Sequence, residues 1–221
     1  MTRLVVVSPH LDDGVFGCSA MLTSHADPIA VTVFAGKPPP SATVRPWDEA
    51  AGFRVGDDVV GVRQAEDRAA LARLGAAPVW LPFLDSQYGD SPEVETIIPA
   101  LEAALLVAGA DVVCIPLGLF HSDHDLAHRA ALGVLVRHPG WRWLAYEEPM
   151  YRRVPGAVNA RLTALARAGI DAELIGSVRP PREKPRAMRC YASQLRALRT
   201  PGRPGFTDAL APERYWAFSA A

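Results

Sequence analysis

Lysine is nearly missing from this 221-residue chain, which carries it only at Lys37 and Lys184 among 23 basic residues. Set against 24 acidic residues this leaves a formal net charge of −1, so neither a basic face for nucleic acid nor a polybasic segment for a membrane surface is available. Cysteine is scarce and odd in number. Cys18, Cys114 and Cys190 stand far apart inside apolar segments, which fits neither a disulfide framework nor a CxxC metal site and leaves them as reduced core thiols. No apolar run approaches the roughly 20 residues that span a bilayer, and Met1-Thr2-Arg3 runs into a strand without an apolar leader. The expectation is a cytoplasmic protein whose partner is a small, uncharged or mildly polar molecule, with a homo-oligomer left open. No internal repeat or low-complexity linker divides the chain, so residues 1–221 are expected to form a single domain; at 49% hydrophobic they suffice for one sizeable core.

What is there reads as alternating strands and helices. Leu4 to Val7, Ile29 to Ala35, Val79 to Leu81, Asp111 to Pro116 and Trp143 to Tyr146 are apolar or β-branched runs that predict strands. Between them the spacing predicts helices over Val15 to Ser24, Val59 to Leu74, Glu93 to Ala108 and from the 121–128 stretch to Arg137. Such alternation argues for βαβ units, hence a mostly parallel sheet covered on both faces. Beyond Glu147 the pattern is less regular: helices are expected over Ala157 to Ala168 and Lys184 to Leu198, a strand over Ala172 to Gly176, and a tail at Arg214 to Phe218 that packs back on the body. The stretch Gly36 to Asp58 is long, rich in proline and without strong periodicity, carries the aromatics Trp47 and Phe53, and is taken as a lid candidate or else a plain disordered loop.

Two clusters carry chemistry. Ser8-Pro9-His10-Leu11-Asp12-Asp13-Gly14 directly follows the first strand, with His10 and Asp13 three residues apart so that they can face one point while Asp12 faces elsewhere. Aspartate there is also an ordinary helix cap, but capping explains one of the two carboxylates and not the histidine. The second cluster opens the helix after the Asp111 to Pro116 strand and places three of the six histidines, His121, His124 and His128, within eight residues beside Asp123 and Asp125. Both lie at carboxyl ends of expected parallel strands, the edge of an open α/β sheet where ligands bind. Together they supply three nitrogen or oxygen ligands, leave a coordination position open, and keep a carboxylate in reserve, the pattern of a catalytic zinc site and of metal-assisted hydrolysis at a carbonyl or phosphoryl centre. Arg63 with Glu66 is a helix-surface pair or a substrate contact, and Asp85, Gln87 and Tyr88, on a loop at a strand end, suit contacts to substrate hydroxyls.

His10-Leu11-Asp12-Asp13 together with His121-Ser122-Asp123-His124 resembles the paired signature of the PIG-L/LmbE-like zinc-dependent N-deacetylases, which act on N-acetylglucosamine-type amino sugars. The likeness extends over Arg63-Gln64-Ala65-Glu66 into Leu74-Gly75, and over Lys184 to Gln194. The resemblance implies a Rossmann-like three-layer α/β fold, Zn²⁺ or another divalent metal such as Fe²⁺ held by His10, Asp13 and His124, and Asp12 as the general base that activates water. It further implies that His121 polarises the amide oxygen with Asp123 orienting it, and it leaves His128 outside the ligand set in a structural or supporting role. Arg63, Asp85, Tyr88 and Trp47 are substrate-binding candidates by their places on the helix face and the strand-end loops. Leu11 stands where the commoner family form has proline, and Gly14 where it has an acid. Leu119 and Phe120 stand where some members place a tyrosine, which points to a more apolar pocket at that place. The leading expectation is removal of an N-acetyl or N-acyl group from an amino sugar that is free, in a glycolipid or on a glycosylated natural product. The alternatives are a metal-dependent amidase of thiol-sugar conjugates, a phosphoesterase, and a non-catalytic sugar-binding module.

Overall fold

The computed structural model describes residues 2–41, 43–203 and 205–220; Met1, Ala42, Pro204 and Ala221, including the Met1 start of the expected 1–221 domain, lie outside them. A seven-stranded sheet is ordered β3-β2-β1-β4-β5-β7-β6. It comprises β1 (Leu4–Ser8), β2 (Ile29–Thr32), β3 (Ala77–Trp80), β4 (Val112–Pro116), β5 (Arg142–Tyr146), β6 (Ile170–Val178) and β7 (Glu213–Ala220). The first five strands pair in parallel, and β7 pairs antiparallel with both β5 and β6. β1 is wholly buried, sending Val5 and Val7 to one apolar cluster and Leu4 and Val6 to the other, which is why its sequence shows a continuous apolar run. β1 and β4 are neighbours although about 100 residues and four α-helices separate them in the chain. Their carboxyl ends therefore frame the crevice where the strand order reverses.

Eight helices among the described residues cover the two faces. They are α1 (Asp13–Ser24), α2 (Pro46–Ala51), α3 (Val59–Ala72), α4 (Val94–Ala108), α5 (Ser122–Arg137), α6 (Ala157–Arg167), α7 (Lys184–Met188) and α8 (Ala192–Leu198). None of them is long and apolar enough to cross a membrane. The expected single helix over 184–198 is two, because Tyr191 turns its ring fully into the core between them and donates its hydroxyl to Asp67 at 2.7 Å. The expected tail at 214–218 is part of an interior strand, β7. The lid candidate contains α2, which packs on α8.

α1 is broken at Cys18, whose φ of −136° and ψ of 19° are not helical. The N–H of Ala20, which an unbroken helix gives to the carbonyl of Phe16, donates instead to Glu213 Oε2 at 2.8 Å. The Phe16 carbonyl accepts from Lys184 Nζ at 2.6 Å, and Lys184 and Glu213 pair at 2.6 Å. A fully buried ion pair is thus spliced into the opened helical hydrogen bond, satisfying both ends. Gly17, one residue before the break, is required by packing, since a Cβ there meets the Tyr146 ring at 2.4 Å. The break fixes the line of the first turn of α1, which carries Asp12 and Asp13 into the crevice.

Candidate metal centre

At the end of β1 the chain turns through Pro9 into α1, and the Ser8 hydroxyl ties this turn by donating to the carbonyl of His10 (2.6 Å) and accepting from the N–H of Gly14 (2.8 Å). A Cβ on Gly14 falls 3.3 Å from that hydroxyl, so the small residue fits the turn closely. Leu11 is buried against Ala35 and Val60, a packing role for the residue that replaces the commoner proline. Asp12 occupies the N-cap position of α1, yet its carboxylate makes no capping bond. The ordinary role of an aspartate in that place is unfilled, and the side chain faces the cavity instead. After β4 the chain reaches α5, which His121 caps with its own ring: its Nδ1 accepts from the N–H of Asp123 at 3.2 Å. Because Nδ1 accepts, the proton of this imidazole sits on Nε2.

His10, Asp13 and His124 bring one ligand atom each to within 4.8 Å of the others. Asp13 Oδ2 lies 3.2 Å from His10 Nδ1 and 3.2 Å from His124 Nε2, while His124 Nε2 is buried without a hydrogen-bond partner among the described residues. The other ring nitrogen of each histidine meets a carboxylate, His10 Nε2 at Asp123 Oδ2 (3.0 Å) and His124 Nδ1 at Glu148 Oε1 (3.2 Å). That is the arrangement by which proteins orient metal-binding imidazoles. A second group, His10 with His121 and Asp123, is equally compact, but part of its donor capacity is used inside the protein. His121 Nδ1 holds the Asp123 N–H, and Asp123 Oδ2 takes His10 and the N–H of Ser86 (3.1 Å). The first group fits a divalent cation and its two-imidazole, one-carboxylate donor set suits zinc. Asp123 therefore meets His10 through its carboxylate and His121 through its backbone N–H.

The electrostatics agree. Burial disfavours an imidazolium at His124, yet Asp13 and Glu148 push it up to about 9, and His10 is likewise raised against burial by its bonds to Asp123 and Asp13. Asp13 is held far below the usual carboxylate range by these imidazoles despite its burial. A field that draws protons onto two buried histidines is one that binds a cation. Burial first, then the charge of Asp13, push the Asp12 carboxyl up to about 8, which places its proton affinity near neutrality.

The cavity over this cluster, about 780 Å³, is lined by His10, Asp12, Asp85, His121, Tyr151 and Trp47 among others. Trp47 donates to Gln194 at 2.8 Å, and Asp85 is engaged by Gln87 (2.9 Å to its N–H) and lies 4.0 Å from His10. Arg63 and Tyr88 do not line this cavity. Arg63 is buried against Asp48 at 2.8 Å and Tyr88 donates to the same carboxylate at 3.2 Å, so both pin α2 to α3. Glu66, expected beside Arg63 on the surface, instead accepts from Ser193 at 2.9 and 2.6 Å and caps α8. The helix face read as solvated is a buried polar seam between α3, α2 and α8. His128 is buried and donates from Nδ1 to the Pro116 carbonyl at 2.9 Å, a structural place. Glu148 and Tyr151 escaped the sequence reading. Their only signal is position, just past the carboxyl end of the apolar β5, as His10 stands just past β1.

The family model described as "PIG-L: GlcNAc-PI de-N-acetylase" matches residues 5–135. A 2'-N-acetylparomamine deacetylase of Streptomyces fradiae is 28% identical over 213 residues, spanning 87% of this chain and 73% of that protein. Two solved structures superpose along essentially the full length at 25% identity. One is a deacetylase–bog complex from the teicoplanin biosynthesis pathway (TM-score 0.82, 100% of this chain and 99% of that one), the other an antimicrobial pseudoaglycone deacetylase (TM-score 0.80, 99% and 98%).

Proposed function

The chain belongs to the PIG-L family of de-N-acetylases, and from that premise we propose that it removes the N-acetyl group of an amino sugar carried by a glycosylated natural product. It is a metal-dependent hydrolase of the amide bond; the N-acetylglucosamine type of the sugar and a cytoplasmic place of action belong to the proposal. Supporting the substrate class are the relatives that act on such compounds. Cys18 and Cys114, two thiols 3.5 Å apart, fit a reducing compartment. The observation that carries the reading is one geometry: three donor atoms converge, each imidazole is backed by a carboxylate, and Asp12 stands beside them without a capping bond.

In the proposed mechanism His10, Asp13 and His124 hold the metal. Zinc bound there supplies a Lewis acid for the amide carbonyl and lowers the pKa of water to about 7. Asp12 takes the proton of the attacking water and returns it to the nitrogen as the C–N bond breaks, so that acetate and the free amine leave. His121 donates its Nε2 hydrogen to the developing oxyanion, its tautomer fixed by the Asp123 N–H. Trp47 and Asp85 border the sugar. Arg63 and Tyr88 act from behind by holding Asp48 and with it α2.

Acetate release from N-acetylglucosaminyl compounds, measured beside zinc content, tests this. Asp12→Asn keeps zinc and loses acetate release by roughly 10²–10⁴-fold, whereas His124→Ala loses the zinc. An Asp12→Asn protein that still releases acetate at the wild-type rate ends the mechanism.

A further inference from the structure

Phe120 is held where a phenylalanine is expensive. Its φ is +62°, in the left-handed region that glycine adopts freely and bulky residues avoid. The N–H of His121 closes a three-residue turn across it by donating to the Leu119 carbonyl at 2.7 Å. The ring gains nothing from burial in exchange, since the residue is 75% exposed. Strain combined with exposed apolar surface marks ligand clamps rather than cores. The ring lies on the cavity wall, 5.6 Å from Tyr151 at an interplanar angle of 31°, and Tyr151 in turn stacks on His121 at 6.3 Å. Phe120, Tyr151 and His121 thus make one ribbon of ring faces running from the metal centre to the cavity mouth.

We propose that this ribbon is a binding subsite for a planar, apolar aglycone attached to the amino sugar. The inference rests on the deacetylase reading above and adds to it the chemistry of the group that bears the sugar. An amide carbon placed for attack lies over His10, Asp12 and His124, and Phe120 lies beyond His121 toward solvent, so its ring meets the aglycone rather than the amide. A cavity of about 780 Å³ is within the 300–1,000 Å³ range that holds drug-sized ligands, so room remains past one amino sugar. Exposed rings at these separations accept a further flat ring in the same offset or edge-to-face geometry.

The deacetylated glycosides, which do not turn over, read the subsite by calorimetry on the zinc-loaded protein. 4-Nitrophenyl β-glucosaminide is expected to bind roughly tenfold more tightly than methyl β-glucosaminide. Phe120→Gly removes most of that ratio while keeping the turn, as an undiminished melting temperature checks, and Phe120→Tyr retains the ratio. Equal affinity for the two glycosides in the wild type, or a ratio that survives Phe120→Gly, overturns the proposal. Acetate release from the corresponding N-acetyl glycosides is scored separately. An aryl preference without acetate release upholds the aromatic subsite and counts against deacetylation alone.

Discussion

Glu148 gathers on one oxygen the N–H groups of Gly118 and Leu119 and the Nδ1 of His124. It sets both the loop that delivers His121 and the tautomer of His124. Glu148→Gln is expected to weaken zinc binding by roughly 10–100-fold in a competition titration against a chromophoric chelator; unchanged affinity would take Glu148 out of the centre. That residue was not legible, because an acid after a strand has many uses and its partner lies 24 positions back. That His10 and Asp13 can face one point was legible, because i, i+3 spacing at a strand end is a local signal that needs no tertiary knowledge; singling out His124 from His121 and His128 rested on the family resemblance. His128 shows the opposite case, a histidine of the same cluster turned inward. Burial, with the nearby Arg161, depresses it to about 4, below the unfolded value of about 6.5. Below pH 6.5 the unfolded chain takes up a proton that the folded chain refuses. The associated stability is whole above pH 6.5 and is lost as pH falls toward 4, up to about 3 kcal/mol. Urea unfolding at pH 7, 5.5 and 4.5 is expected to show a shallower acid decline for His128→Gln than for the wild type, and parallel declines would show that the folded histidine titrates normally.

Among the elements, α1 depends most on distant chain. Its break leaves Phe16 and Ala20 unpaired with each other, and Lys184 and Glu213, from α7 and β7, complete both groups. Lys184→Met leaves Glu213 buried without its cation and is expected to cost about 3–5 kcal/mol in denaturant unfolding. The double variant Lys184→Met with Glu213→Leu is expected to cost less than the two single changes added together, as coupled partners do; simple additivity would mean that the pair does not act as a unit. Sequence pattern located α1, α3, α4 and α5 because their apolar stripes are local. It ran α7 and α8 together because Tyr191 is apolar and in phase, and only its bond to Asp67 shows that the chain turns there. It left β7 as a tail because an antiparallel strand inserted between β5 and β6 is decided by neighbours the sequence does not place side by side. The partners of Arg63 and Glu66 escape the sequence for the same reason: charge on a helix face reads as solvent exposure unless the opposing α2 and α8 are known.

At the scale of the molecule, parallel order was inferable from strand and helix alternation, but the adjacency of β1 and β4 was not, and that adjacency creates the site. His10 and Asp13 come from the end of β1 and His124 from α5 after β4, so a bound ion ties together segments more than 100 residues apart. The unfolded chain does not hold those three donors together, so metal binds the folded state preferentially and its binding energy becomes folding energy. With free zinc at about 100 times Kd, the wild type is expected to gain roughly 2.7 kcal/mol over the chelator-treated protein, visible as a rise in melting temperature that grows with the logarithm of free zinc. Asp12→Asn, which leaves the three donors in place, keeps this rise. His124→Ala loses it while its glucosaminide binding at the aromatic wall persists. A melting temperature indifferent to zinc in the wild type would show that the three donors do not act as one ligand set, and the assignment of His10, Asp13 and His124 would fall with it.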